Sequence, residues 1–174
     1  MKRSLLVWQC AGFIASVALG SLLHFLYDFT NKARWAAIFS STNDSTFEHM
    51  KLIFWPMLLF AVIQRFFFRD RCDFWRIKLC GILIALTLIP TLFYTYNGVI
   101  GKSPDFINIA IFVISALAAY VYETREFKNE SATCKSSKLA LPTLCVIAIL
   151  FIAFTFAPPE INIFKDPITN TYGI

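Results

Sequence analysis

Two histidines are the only imidazoles in the 174 residues, and both stand within a helical turn of a carboxylate. His24 and Asp28 are four apart, a spacing that puts them on one face of a helix. His49 follows Glu48 directly and lies four after Ser45. Imidazole nitrogen and carboxylate oxygen together are ligands that zinc accepts, with an open position for water in catalytic sites. A zinc-bound water becomes a nucleophile near neutral pH. His24, Asp28 and His49 are therefore candidate metal ligands, and His24, Asp28, Glu48 and His49 are the candidate catalytic groups. The helix-borne H-E-x-x-H pattern is absent from the sequence.

Other polar residues gather near these in the chain. Asn43, Ser45 and Lys51 flank Glu48 and His49, Thr87, Thr91 and Tyr94 form a stripe, and Asp166 and Tyr172 stand near the C-terminus. Asn43, Ser45, Lys51, Tyr94, Asp166 and Tyr172 are the candidate substrate-binding groups. Plainer roles stand beside these. Ser45-Thr46-Phe47-Glu48 has the form of a capping box. His24 and Asp28 can hydrogen-bond each other. Lys51 can extend its stem along apolar surface to reach water, and the threonine stripe can bond between helices.

The elements that must position these groups are membrane helices. Hydrophobic residues make up 57% of the chain and charged residues only 16%, against about 25% charged in a soluble domain. A soluble protein of this size cannot hide so much apolar surface, whereas lipid as solvent lets it face outward. Five apolar stretches reach or approach the roughly 17–25 residues of a spanning helix: about 5–27, 47–68, 77–96, 106–122 and 139–156. The expected fold is an all-α, polytopic five-helix membrane bundle forming one domain over 1–174, with a tail over 157–174. Pro56 and Pro90 fall inside apolar runs, where each removes a backbone donor. The first run resembles a signal peptide but is too long for its apolar core, so an uncleaved span is expected.

Lysine and arginine set the orientation. With the N-terminus in the cytoplasm, the inner side holds Lys2, Arg3, Arg65, Arg69, Arg71, Arg76, Lys78, Arg125, Lys128, Lys135 and Lys138. The outer side holds Lys32, Arg34, Lys51, Lys102 and Lys165. The bias follows the positive-inside rule and puts both histidines and the C-terminal tail outside. The net charge of +5 is spread over loops, which argues against nucleic acid and for membrane lipids as partners. The five cysteines fall near the cytoplasmic side, where reduced thiols are expected. The apolar content of the tail suits folding back over the bundle, its terminal carboxylate near the His and Lys residues, and a plain surface tail is the equal alternative.

Three segments carry a resemblance: His24-Phe25-Leu26-Tyr27-Asp28, Asn43-Asp44-Ser45-Thr46-Phe47-Glu48-His49-Met50-Lys51-Leu52, and the ending Asp166-Pro167-Ile168-Thr169-Asn170-Thr171-Tyr172-Gly173-Ile174. Jointly and in this order they resemble a family of small bacterial integral membrane proteins of unknown function. The resemblance covers nearly the whole chain and implies a multi-pass protein of the bacterial plasma membrane. It brings no activity with it. There is a partial likeness to membrane hydrolases of the ceramidase type, from which the chain departs in helix number and in lacking an H-x-x-x-H segment.

Three kinds of function are consistent with these residues. One is a zinc-dependent hydrolase or acyltransferase acting on a lipid-like or lipid-linked substrate. Another is a small-ligand-binding or transport subunit, with Trp35, Trp55 and Tyr94 lining a pocket and Arg69, Arg71 and Arg76 meeting a membrane or cytoplasmic partner subunit. The third is a structural, regulatory or immunity-type membrane protein whose polar cluster only fastens helices.

Overall fold

Stretches rich in Leu, Ile, Phe and Ala satisfy their backbone internally as helices, which lipid as solvent requires. A computed structural model describes residues 2–101, 104–129 and 138–173. It contains α1 (Lys2–Phe29), α2 (Arg34–Ala37), α3 (Thr46–Arg65), α4 (Phe74–Ile100), α5 (Asp105–Lys128) and α6 (Ala140–Phe156), then a 3₁₀ turn at Asn162–Phe164. Among the described residues the only β pairing is an isolated bridge between Lys165 and Tyr172. The expected positions of Lys102, Cys134, Lys135 and the Ile174 carboxylate lie outside the described residues.

Four helices, α1, α3, α4 and α5, are long and apolar enough to cross a membrane, and α6 is a shorter apolar helix. The all-α architecture stands as expected. The short α2 was not anticipated, and several helices outrun their apolar cores: α4 begins at Phe74 and ends at Ile100, and α5 continues to Lys128. Neither Pro56 nor Pro90 ends its helix. Cys10, Cys80 and Cys145 are free thiols. Cys72 is disulfide-bonded, which corrects the expectation of reduced thiols at that position.

Helix α1 packs on α3 and α5, and α4 packs on α3, α5 and α6. Ile53, Phe54, Met57, Ile82, Ala85, Ala116, Ala119 and Leu144 fill the interior, while Leu22, Phe25, Ile109, Ile149 and many other large apolar side chains face outward. The inverted pattern follows from lipid being as apolar as the core. Association then rests on close packing and interhelical hydrogen bonds. Small residues permit that packing. A Cβ on Gly20 would stand 2.6 Å from the Leu52 carbonyl oxygen and 2.6 Å from Phe112 Cζ, so α1 meets α3 and α5 there with no room for a methyl group.

This contact lies one helical turn from His24. Gly20→Ala should destabilise the bundle by about 1–3 kcal/mol, read as a lowered midpoint of thermal unfolding in detergent. Gly98→Ala, where a Cβ meets nothing within 4 Å, should stay within roughly 0.5 kcal/mol of the parent. Equal midpoints for the two variants would contradict the close approach.

Candidate metal centre

The end of the bundle where α1 stops and α3 starts holds both imidazoles. His24 projects from α1 and His49 from the first turn of α3, with ring centroids 5.6 Å apart and planes inclined at 60°. Donor atoms of His24, His49 and Asp44 all lie within 4.8 Å of one another. Tetrahedral zinc with bonds of about 2.0–2.1 Å needs ligand atoms about 3.3 Å apart, a closure that side-chain rotation can supply. His49 is already oriented. Its Nδ1 lies 3.0 Å from the Ser45 carbonyl oxygen, which can only accept, so Nδ1 carries the proton and Nε2 keeps its lone pair. A backbone carbonyl fixing the tautomer in this way is a usual support for a metal-binding histidine.

The carboxylate nearest both rings belongs to Asp44 rather than Asp28. Asp28 sits on the same helix as His24 as the spacing requires, but it is exposed and makes no hydrogen bond to His24 among the described residues. The chain between α1 and α3 instead turns back over the helix ends and delivers Asp44 to the space between the imidazoles. Sequence spacing measures only neighbours on one helix and does not register this return.

The return is held by an ordered set of bonds. Ser40 Oγ donates to the Leu23 carbonyl oxygen and accepts from Tyr27 N at 3.0 Å, tying the loop to α1. Ser41 Oγ donates to the Asn43 carbonyl at 2.6 Å, and Asn43 Oδ1 accepts from Ser45 N at 2.9 Å. Ser45 caps α3 by accepting from Glu48 N at 3.3 Å. Only half of the expected capping box forms, because the Glu48 carboxylate turns away from Ser45 N to accept from Thr42 N at 2.8 Å and to pair with Lys51 at 2.8 Å.

Lys51 does not reach water. It is fully buried, and its ammonium donates to the Ala37 carbonyl and to Thr155 Oγ1, both at 2.8 Å, as well as to Glu48. An ammonium has three donors, and all three are met. The partners come from α2, α3 and α6, so one cation joins three elements. Glu48 and Lys51 are therefore committed to each other and to the loop, and neither is open to a substrate.

The remaining candidates form a separate group on the tail side. Phe164 packs against Phe47 and Phe154, and Asn43 Nδ2 donates to the Gly173 carbonyl at 3.0 Å, so the tail folds back over the bundle. Asp166 is spent inside it, accepting from Ile168 N at 2.8 Å and Thr169 Oγ1 at 2.7 Å. Tyr172 packs on the core. Tyr94 donates to the Asn162 carbonyl at 3.2 Å and lines a cavity of about 190 Å³ with Thr46, Phe93, Asn162, Lys165 and Pro167. Thr87 and Thr91 bond carbonyls of their own helix rather than a neighbour.

Sequence reasoning passed over two features. Asp44 lies inside the quoted histidine motif but drew no role. Glu123 was assigned to a loop because its apolar run stopped at Tyr122, and Lys78 to the inner edge of its span, whereas both are buried inside the bundle as an ion pair 2.5 Å long.

The chain belongs to the family of unknown function DUF6512, whose model matches residues 2–174. No curated protein and no solved structure matches it.

Lys51→Met leaves the Glu48 carboxylate buried without its cation and should cost about 3–5 kcal/mol, measured by thermal or denaturant unfolding in detergent. Glu48→Gln together with Lys51→Met removes both charges and should recover most of that loss. A double variant no more stable than Lys51→Met would contradict the assignment of the cost to an unpaired charge.

Proposed function

We propose that this protein spans the bacterial plasma membrane five times, with its N-terminus in the cytoplasm, and carries an extracytoplasmic zinc site built from His24, Asp44 and His49. The observation that carries the reading is the approach of these three donor groups to within 4.8 Å, on helices pinned by a buried network that leaves His49 Nε2 free. Two imidazoles and one carboxylate make a three-ligand set with a position left for water.

The chemistry that follows is hydrolysis or acyl transfer on a lipid-like or lipid-linked substrate. Bound zinc supplies a water whose acidity is raised toward neutral pH. The chain's own residues do the rest. His49 is held in one tautomer by Ser45, His24 is set against it by the α1–α3 contact, and Asp28 stands exposed one turn beyond His24 as the candidate acid–base group. An apolar cleft of about 350 Å³ lined by Leu19, Leu23, Phe39, Trp55, Pro56 and Val62 starts one residue from His24 on α1 and suits an acyl chain. Five spans accord with four long apolar helices and the shorter α6, since spans of about 17 residues suffice. The distribution of lysine and arginine supports the orientation.

A second reading, a small-ligand-binding subunit, is favoured by the separate Tyr94 cavity. A molecule copurifying with wild type and lost in Tyr94→Phe would support it.

Metal content by plasma mass spectrometry on detergent-purified protein tests the first reading. Wild type should hold about one zinc per chain, as the ligand count of one site requires. His24→Ala, His49→Ala and Asp44→Asn should each lose it, while Asp28→Asn should retain metal. Well-folded wild type that takes up no zinc on addition would remove the metal reading.

A further inference from the structure

Four helices bring polar side chains to one level of the bundle near its arginine-rich end. The α1–α3 register that sets Gly20 against Leu52 and His24 against His49 carries Gln9 to the level of Gln64. The α1–α5 register that sets Gly20 against Phe112 and Gly12 against Tyr120 carries Gln9 to Glu123. Lys78 reaches the same level from α4 and pairs with Glu123 Oε2 at 2.5 Å. All four are at most 2% exposed. At 1.5 Å of rise per residue the layer lies roughly 6–10 Å inside the ends of α1, α4 and α5.

The layer is not satisfied internally. Both side-chain atoms of Gln9, both of Gln64 and Glu123 Oε1 have no hydrogen-bond partner among the described residues. The Gln9 amide lies within hydrogen-bonding reach of the Glu123 carboxylate, in a geometry that leaves both groups poorly satisfied. Each orphaned buried polar group costs about 1–3 kcal/mol, and apolar residues of similar size would hold the helices together better. Four orphaned amide atoms at the level of one orphaned carboxylate oxygen suit internal water, which typically makes about three hydrogen bonds to buried polar groups.

We propose that this layer is a hydrated proton-binding site in which Glu123 takes up and releases one proton exchanged with water at the arginine-rich end. The residue types fit both states. An amide donates through Nε2 to an ionised Glu123 Oε1 and accepts through its own Oε1 from a protonated one, so Gln9 and Gln64 serve either form. Uptake forms an O–H bond on Glu123 with a proton from water and leaves Lys78 as an ammonium. Lys78 does not then depend on Glu123 alone, because its Nζ stands 5.5–5.8 Å from the ring centroids of Phe74, Tyr120 and Phe127, within the range of cation–π attraction. Gly81 completes the niche, since a Cβ there would meet Glu123 Oε1 at 2.6 Å.

The other charged and titratable groups around the pair are engaged elsewhere. Arg76 pairs with Glu126, and Arg71 pairs with Asp73. Arg65 lies over the Phe74 ring, the Tyr120 hydroxyl bonds Ser16 Oγ at 2.8 Å, and Tyr122 interacts with Cys80. The sequence of α6 contains no charged residue. The site is independent of the zinc reading, being built from other residues at the opposite end of the bundle.

Infrared spectroscopy of the full chain in lipid nanodiscs, over the pH range in which it stays folded, reads the carboxyl C=O stretch directly. Wild type should show a protonated-carboxyl band that titrates. The band should vanish in Glu123→Gln and persist in Glu126→Gln. Its midpoint should move by about one pH unit or more in Gln9→Leu with Gln64→Leu, which leaves the ion pair intact. Should Glu123→Gln fail to fold, Lys78→Met with Glu123→Gln, which removes both charges, should also lack the band. Absence of any Glu123-dependent band, or a midpoint indifferent to the two leucines, would overturn the proposal.

Discussion

A lysine ammonium with no exposure to solvent is the constraint on which the histidine end of this molecule depends. Lys51 can be buried only because Glu48, the Ala37 carbonyl and Thr155 surround it with three acceptors at 2.8 Å. Removing a charge from water costs several kcal/mol even after relaxation, so each of those acceptors must be where it is. That requirement ties α2 to α3 through the Ala37 carbonyl, ties α6 to α3 through Thr155, and turns Glu48 toward Thr42. The loop so fixed carries Asp44 to the two imidazoles. The ion pair therefore acts on the candidate site through position, with no contact of its own to a ligand.

The two ends of the bundle treat polarity in opposite ways. At the histidine end all three donors of the Lys51 ammonium are met, and the donor atoms of His24, Asp44 and His49 stand close together beside that network. At the arginine end the layer of Gln9, Gln64, Lys78 and Glu123 is open, with five side-chain atoms waiting for partners. In lipid such groups cannot borrow water from the surroundings, so polar atoms left over inside the bundle carry more meaning than they would in a soluble core. Ionisable residues within spanning helices are rare and usually functional.

The helical architecture was legible because spanning length and hydropathy act along the chain, one segment at a time. Residues 5–27 and 139–156 were read from composition and lie within or close to α1 and α6. Helix ends were less legible, since α4 and α5 run past their apolar cores into residues such as Glu123, Thr124 and Arg125 that look like loop. The same blindness hid the Lys78–Glu123 pair: two charges at the edges of separate apolar runs become a buried pair only when α4 and α5 pack antiparallel. At the histidine end, His24 and His49 were recognised as a pair by their scarcity. Asp28 was preferred to Asp44 because helical spacing is visible in a sequence and the path of a loop is not. Lys51 was expected to reach water, as an isolated lysine on a membrane helix does, and is buried because acceptors from two other elements converge on it.

Zinc-edge X-ray absorption on metal-loaded protein, wild type beside Glu48→Gln with Lys51→Met, tests most directly whether the buried pair positions a metal site. A wild-type shell of two imidazoles with carboxylate and water oxygen, from which the carboxylate is lost when the pair is neutralised, is the expected result. A wild-type shell without imidazole, or one unchanged in the neutralised variant, would contradict it.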